Sequence, residues 1–398
     1  MPKRLWYNSR MREVHDGAVA RELLEGSEPL GEIVFHGLDL RDVEGRLTDH
    51  AVDGAVFLGC KLGHPAIADV VCRGALVFPR IGDLPFDPYR SGLYTPDELF
   101  AGFDPAEPCT YCDTPDARIY RHWVESGRQF PGSVLEALAR RLHDHAMTDA
   151  METLLEGIDA PVVAVMGGHS MERDHPRFAS VARMSRSLAE RGFFLVSGGG
   201  PGAMEATHVG SHFAHREDSE LADALQILSA APSYKDDEWL AAAFRARAAH
   251  PVDERSGESL GIPTFLYGHE PPNLFATHVA KYFANSVRED GLISIASHGI
   301  VYAPGSAGTI QEIFQDAAQN HYGTVLDMAS PMVFLGTEYW TEDKPIYPVL
   351  EKLAEGHVYG GLIHITDDVD DAVRFLEENA PREVPGGGWS FCGAHCAD

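Results

Sequence analysis

From residue 161 onward, short apolar runs alternate with longer amphipathic stretches. Seven runs are predicted to be strands: 161–168, 192–200, 224–230, 262–268, 298–305, 331–336 and 361–366. Between the first two runs, apolar residues such as Phe178, Val181, Met184 and Leu188 recur at the spacing of an amphipathic helix. This alternation predicts the α/β class, a Rossmann-like doubly wound parallel sheet with helices on both faces.

The first 130 residues are less regular. Apolar runs with Gly-rich joints predict short strands at 31–40, 54–62 and 74–82, and the Pro-, Asp- and Gly-rich stretch 80–117 predicts loop. A helix is predicted over 133–156, ending at Gly157. We therefore expect an N-terminal α+β extension of unknown role (1–130), a connecting helix (131–160), a Rossmann-like domain (161–380) and a loose C-terminal tail (381–398).

Four predicted strands end in polar or glycine-rich segments: MGGHS (166–170), SGGGPGAME (197–205), YGHEPPN (267–273) and APGSAGT (303–309). In parallel sheets, ligands bind beyond the C-terminal strand ends. Glycines let backbone amides approach an anion, and a following helix adds its free N–H groups. Each loop alone is equally well a structural turn. The expected phosphate or nucleotide contacts are Gly168, Ser170, Gly198, Gly199, Gly200, Met204, Glu205, His269, Asn273, Gly305, Ser306, Ala307, Gly308 and Thr309.

These loops match neither the dinucleotide GxGxxG motif nor a P-loop, so the expected ligand is a nucleoside monophosphate or a sugar phosphate. Thr309 is expected to cap the helix that follows or to bind a phosphate oxygen. Glu312 lies about one turn into that helix, where its carboxylate can reach the sugar carbon beside the phosphate. It can equally be an acid that complements the helix dipole.

Residues 167–206 and the segment 303–312 (APGSAGTIQE) resemble the two signatures of the Lonely Guy family, also known as lysine decarboxylase-like proteins. Family members are nucleoside 5′-monophosphate phosphoribohydrolases. The GPGAMEA segment (200–206) is more similar to the long bacterial purine/pyrimidine nucleotide monophosphate nucleosidases. The family's PGGxGTxxE signature is matched except that Ser306 replaces its second Gly.

The resemblance implies hydrolysis of a nucleoside 5′-monophosphate to free base and ribose 5-phosphate in domain 161–380. It makes Glu312 the catalytic carboxylate and Arg288 its partner, although Arg288 lies one residue further from Pro304 than the family spacing. A carboxylate at the anomeric carbon stabilises an oxocarbenium-like transition state and activates water. No cofactor or metal is implied, and a homodimer or higher homo-oligomer is expected. The alternative for Arg288 is a surface ion pair with its acidic neighbours.

Two other functions remain under consideration. A non-catalytic nucleotide sensor would use the same loops without hydrolysis. A pyridoxal phosphate decarboxylase would need a cofactor lysine, and no lysine of the α/β part lies in a convincing motif. The lysines considered are Lys235, Lys281, Lys344 and Lys352.

The charge balance is strongly acidic: 32 Lys and Arg against 60 Asp and Glu give a net charge of −28. This disfavours binding to a nucleic-acid polymer or an anionic membrane. The sequence shows neither a secretory signal nor a membrane-spanning run, so a cytoplasmic location is expected. The CTYC segment (Cys109, Cys112) and the tail residues Cys392, His395 and Cys396 are expected to be free, with a shared zinc site as the alternative.

Overall fold

The structure is a computed structural model that describes residues 11–266 and 271–385. Within these ranges the chain forms two compact units. The first contains residues 11–93 and 122–154, and the second contains residues 94–121 and 155–385. Residues 94–121, which the sequence analysis assigned to the N-terminal extension, therefore pack with the second unit. No helix in the described ranges is long and apolar enough to cross a membrane.

The first unit contains a four-stranded parallel sheet in the order β1–β2–β3–β4. Its early elements are β1 (Arg12–Val14), α1 (Gly17–Glu25), β2 (Ile33–His36), β3 (Val56–Leu58), α2 (His64–Cys72) and β4 (Leu76–Phe78). Asp16 starts α1 because its carboxylate accepts hydrogen bonds from two backbone amides of the first turn. The three strands predicted here are present, and since helices alternate with parallel strands the unit is itself of α/β type.

Three helices follow: α3 (Pro96–Leu99), α4 (Pro115–Glu125) and α5 (Val134–Glu156). The last of these confirms the helix predicted over 133–156. In the second unit, helix α4 contributes a fully buried ion pair between Asp116 and Lys281. The Tyr111 hydroxyl donates a hydrogen bond of 3.0 Å to the other oxygen of Asp116. Residues 94–121 are thus held to the second unit by a charge pair in an apolar environment.

The second unit continues with alternating strands and helices. These are β5 (Val162–Met166), α6 (Pro176–Glu190), β6 (Phe194–Ser197), α7 (Ala203–His212), α8 (Asp218–Ser229), α9 (Trp239–Ala249), β7 (Ser259–Gly261), β8 (His278–Val279), α10 (Asn285–Ile295), β9 (Gly299–Tyr302), α11 (Ala307–Tyr322), β10 (Met328–Ala329), β11 (Met332–Leu335), α12 (Tyr347–Ala354), β12 (Ile363–Thr366), α13 (Val369–Glu378) and β13 (Arg382–Glu383).

Seven of these strands form one parallel sheet in the order β12–β11–β9–β5–β6–β7–β8. Helices cover both of its faces, which confirms the doubly wound α/β fold. The chain runs outward from β5 to β8, returns to β9 on the other side of β5, and continues outward to β12. The topological switch point therefore lies between β5 and β9, where a crevice opens beyond the strand ends.

Five of the seven strands predicted after residue 160 are confirmed, namely β5, β6, β9, β11 and β12. The strand predicted at 224–230 is wrong, because those residues lie in or next to helix α8. A capping box formed by Glu217 and Glu220 starts this helix, and Leu221, Ala224 and Leu228 bury one helical face. The strand predicted at 262–268 is displaced, since β7 ends at Gly261 and residues 267 and 268 lie outside the described ranges.

Candidate functional site

Three loops meet at the switch point, one after each of β5, β6 and β9. The amide of Gly168 donates a hydrogen bond of 3.0 Å to the carbonyl of Pro304, joining the first loop to the third. Gly202, in the second loop, has a φ of +72°, and a Cβ there would lie 2.3 Å from the carbonyl oxygen of Gly168. Only glycine permits this approach, so a glycine at position 202 is required for the first and second loops to meet at this end of the sheet.

The third loop leads directly into helix α11, whose N-cap residue is Ser306. No side chain caps this end, so the first amides of the helix keep their hydrogen-bonding capacity. Thr309 is the third residue of the helix rather than its cap, and it is buried. A Cβ on Gly305 would lie 2.1 Å from the Thr309 hydroxyl oxygen, whereas a Cβ on Gly308 would meet nothing within 4 Å. The loop is therefore closely packed at Gly305, and there is free space beside Gly308.

A cavity of about 180 Å³ lies in this crevice. Its lining combines glycine-rich backbone with one guanidinium and two carboxyl groups. The lining residues are Gly167, Gly168, His169, Met204, Arg288, Glu289, Ser306, Gly308, Thr309 and Glu312.

Arg288 and Glu312 both line the cavity and form an ion pair with each other. Their closest atoms, Nη1 of Arg288 and Oε1 of Glu312, are 3.4 Å apart. The side chains are 9% and 12% exposed, so the pair is largely removed from water. Arg288 is not the surface ion-pair residue considered from the sequence, because its guanidinium points inward. Glu312 is the sixth residue of α11 and so lies beyond the first turn that a dipole-complementing acid occupies.

Backbone groups of two other loops hold Arg288 in place. Its Nε donates a hydrogen bond of 2.8 Å to the carbonyl of Ile262, and Nη2 lies 3.5 Å from the carbonyl oxygen of Gly198. A Cβ on Gly198 would lie 2.3 Å from Nη2. The guanidinium therefore occupies the space that a side chain at position 198 would fill.

Burial raises the pKa of Glu312 to about 7, compared with an ordinary value of 4.5. The charge of Arg288 acts in the opposite direction, and the nearby carboxylate of Glu289 raises the pKa further. A carboxyl with this pKa exchanges its proton readily near neutral pH, which is the property required of a general acid or base. Perturbed pKa values of this kind cluster at functional sites.

Two residues expected from the sequence to contact a ligand are occupied elsewhere. Both carboxylate oxygens of Glu205 accept hydrogen bonds from Arg173, at 2.9 and 2.5 Å, and Glu205 is fully buried. The side chain of Asn273 donates to the carbonyl of Gly199 and accepts from the amides of residues 275 and 276. Asn273 therefore holds the loop after β6, Glu205 is paired with Arg173, and neither residue lines the Glu312 cavity.

The other residues expected to contact a ligand lie at several different places in the structure. Gly199 and Gly200 are buried in the loop after β6, where Gly199 has a φ of +70°. Ala307 is exposed at the start of α11. Ser170 lines a neighbouring cavity of about 140 Å³ that also contains Arg173 and Glu205. His269, like Glu270 beside it, lies outside the described residues.

Sequence reasoning missed Glu289, which follows Arg288 directly and lines the cavity. It also missed Asp316, one turn beyond Glu312, whose buried carboxylate accepts a hydrogen bond of 2.7 Å from the Tyr302 hydroxyl. Burial raises the pKa of Asp316 to about 7. Asp316 lies four residues after Glu312 in the sequence, and this spacing places the two carboxyl groups on the same face of a helix. That spacing was the signal from which Asp316 could have been predicted.

The lysines and cysteines weighed in the sequence analysis do not line this cavity wherever the structure describes them. Among the described residues, no lysine lines the Glu312 cavity. Cys109 and Cys112 are exposed free thiols, while Cys392, His395 and Cys396 lie outside the described ranges. Cys109 and Cys112 line a larger cavity, of about 660 Å³, with aromatic residues such as Trp239. That cavity is mainly apolar and its acidic residues are exposed, so we place the candidate chemistry at Glu312.

The fold and the site define an α/β protein with a doubly wound parallel sheet and a buried Arg–Glu pair in the crevice at its switch point. No protein-family model matches the chain, and no curated protein matches it.

Several solved structures are similar in part. One is the Moco carrier protein from Chlamydomonas reinhardtii, at 16% identity over 55% of this chain and 96% of that one, with a TM-score of 0.35. Another is the molybdenum cofactor binding protein from the phototrophic bacterium Rippkaea orientalis, at 13% identity over 56% and 98%, with a TM-score of 0.34. A third is TM1055, a structural-genomics target, at 19% identity over 55% and 99%, with a TM-score of 0.33. Nothing about activity follows from likeness at this level.

Proposed function

We propose that the protein hydrolyses the N-glycosidic bond of nucleoside 5′-monophosphates, giving free base and ribose 5-phosphate. The observation that carries the proposal is the buried Arg288–Glu312 pair beside the uncapped N-terminus of α11, in the crevice at the switch point. The resemblance of segments 167–206 and 303–312 to Lonely Guy nucleosidases supports the same substrate class.

The phosphate would bind at the start of α11. Free amides of the first turn and the positive end of the helix dipole favour an anion there. The open side of Gly308 leaves room for the phosphate oxygens to approach the backbone. Binding energy from this group, remote from the reacting bond, would hold the ribose in register with Glu312.

Glu312 would act at the anomeric carbon. As the bond from C1′ to the base nitrogen breaks, positive charge develops on the ribose, and a carboxylate beside it stabilises that charge. The same carboxylate accepts a proton from the attacking water as the new C1′–O bond forms. The leaving base takes its proton from solvent. Arg288 would orient Glu312 and hold ribose hydroxyls, since its guanidinium is already fixed by Ile262.

The test is incubation with AMP, GMP, CMP, UMP and IMP, with free base followed by chromatography. Wild-type protein should cleave at least one substrate, and Glu312→Gln should lose at least about 100-fold in kcat while still binding nucleotide. Asp290→Asn is the matched control, because it makes the same acid-to-amide change at an exposed position of the neighbouring helix α10.

Nucleotide binding by the wild type without turnover of any of the five substrates would refute the enzymatic proposal. It would favour the alternative, a non-catalytic nucleotide sensor, for which the Ser306 substitution in the signature is the specific argument. We further propose the long bacterial nucleosidases as the subgroup, a homodimer or higher homo-oligomer as the assembly, and the cytoplasm as the location. Light scattering that gives a monomer would contradict the proposed assembly.

A further inference from the structure

The ends of strands β1 and β2 bring three potential metal ligands together in the first unit. The parallel register pairs Glu13 with Val34 and Val14 with Phe35, so the next residues along, His15 and His36, come side by side. Their ring centroids are 4.6 Å apart. Glu13 and His15 are two residues apart, which places both side chains on the same face of the sheet.

The distances between donor atoms suit a single ion. Nε2 of His15 and Nε2 of His36 each lie 3.2 Å from Oε2 of Glu13, and one donor atom from each residue falls within 4.8 Å of the others. Two ligands about 2.0–2.1 Å from a tetrahedral ion are themselves about 3.3 Å apart. An ion could therefore enter among these atoms with little movement of the backbone.

His36 is the buried member of the cluster. Its side chain is 7% exposed, and its Nδ1 atom has no hydrogen-bond partner in the described part of the chain. Nε2, which lies 3.2 Å from Glu13, is the nitrogen that would bind an ion. His15 and Glu13 are 35% and 31% exposed, so the cluster remains open to solvent on one side.

We propose that Glu13, His15 and His36 form a binding site for one transition-metal dication, with water completing its coordination. Two imidazoles and one carboxylate fit Zn²⁺ best among common cellular ions, because Ca²⁺ and Mg²⁺ prefer oxygen ligands. The ion joins the ends of strands β1 and β2, so bound metal stabilises the first unit. Residues 13, 15 and 36 have no recognisable ligand spacing, so no sequence motif indicates this site.

The experiment uses the tag-free full chain after treatment with a chelator. Co²⁺ is added as a spectroscopic probe, and Zn²⁺ affinity is measured by competition with a chromophoric chelator. We expect one equivalent of metal per chain, the visible absorption of tetrahedral Co²⁺, and a rise in the unfolding temperature of the first unit. His15→Gln should weaken Zn²⁺ binding at least about tenfold and abolish the thermal shift, as should His36→Gln.

His64→Gln is the matched control, because it removes an exposed imidazole of the same unit at the start of α2. Its metal affinity should equal that of the wild type. Since His36 is buried and its variant can fail to fold, the partly exposed His15 decides the outcome, with circular dichroism of the metal-free variants as the check on folding. Equal Zn²⁺ affinity in wild type and His15→Gln would overturn the proposal, as would the absence of stoichiometric Co²⁺ binding.

Discussion

Glu312→Gln should be more stable than the wild-type protein, by a margin that grows as the pH rises. The same substitution removes the proposed catalytic group. A buried carboxyl with a raised pKa destabilises the folded state when it is ionised. Each pKa unit corresponds to about 1.4 kcal/mol, so the rise from 4.5 to about 7 corresponds to about 3 kcal/mol of lost stability at alkaline pH. Glutamine has a similar shape and no charge, and it can still accept a hydrogen bond from Arg288.

The sign follows from which state binds the proton. Below about pH 4.5 the carboxyl is protonated in the folded and unfolded chains alike, and it contributes no pH dependence. Between about pH 4.5 and pH 7 the unfolded chain loses this proton while the folded chain keeps it, so wild-type stability falls as the pH rises. Above about pH 7 the penalty is complete.

The measurement is urea unfolding of both proteins from about pH 5 to about pH 8. The stability of Glu312→Gln relative to wild type should increase by about 2 to 3 kcal/mol over this range. The change with pH is diagnostic because contacts that do not titrate contribute equally at each pH. Asp290→Asn is the control, since its exposed carboxyl is already solvated. A pH-independent difference for Glu312→Gln would refute the assignment of a buried, proton-retaining carboxyl.

Three further predictions concern the site and its support. In wild type, log kcat/KM should fall with unit slope below about pH 7 as Glu312 gains its proton; a profile still level at about pH 6 would contradict a base at this position. Gly305→Ala should raise KM at least about tenfold, because the new methyl group would lie 2.1 Å from the Thr309 hydroxyl oxygen at the start of α11, where we propose that phosphate binds; an unchanged KM would count against phosphate binding there. Arg173→Met should lower the free energy of unfolding by about 3–5 kcal/mol, because it leaves Glu205 buried and unpaired. The exposed ion pair between Arg191 and Glu377 is the comparison, and it should contribute less than about 1 kcal/mol to the free energy of unfolding.

The sequence predicted most of the central sheet because its strands are buried on both faces and appear as continuous apolar runs. Strands β7 and β8 lack that signal, being three and two residues long. The run at 224–230 was wrongly predicted to be a strand, because a short apolar run is compatible with a strand and with a buried helix alike. The capping box that indicates a helix begins seven residues earlier, at Glu217.

The candidate site was predictable in its residue types but not in its contacts. The glycine loops and Glu312 could be found from strand ends, since all parallel strands of a sheet end at one edge. The orientation of Arg288 could not, because it depends on the Ile262 carbonyl and on the missing side chain of Gly198. Likewise, nothing near Glu205 indicates that Arg173, 32 residues earlier, occupies its carboxylate.

The division of the chain limits how this protein can be dissected. The polypeptide passes between its two units three times, at residues 93/94, 121/122 and 154/155. A fragment beginning at residue 161 would contain the whole seven-stranded sheet yet lack Asp116, leaving the Lys281 ammonium enclosed with no counter-charge. Isolating the second unit therefore requires residues 94–121 to be supplied as well, or Lys281 to be replaced by an apolar side chain.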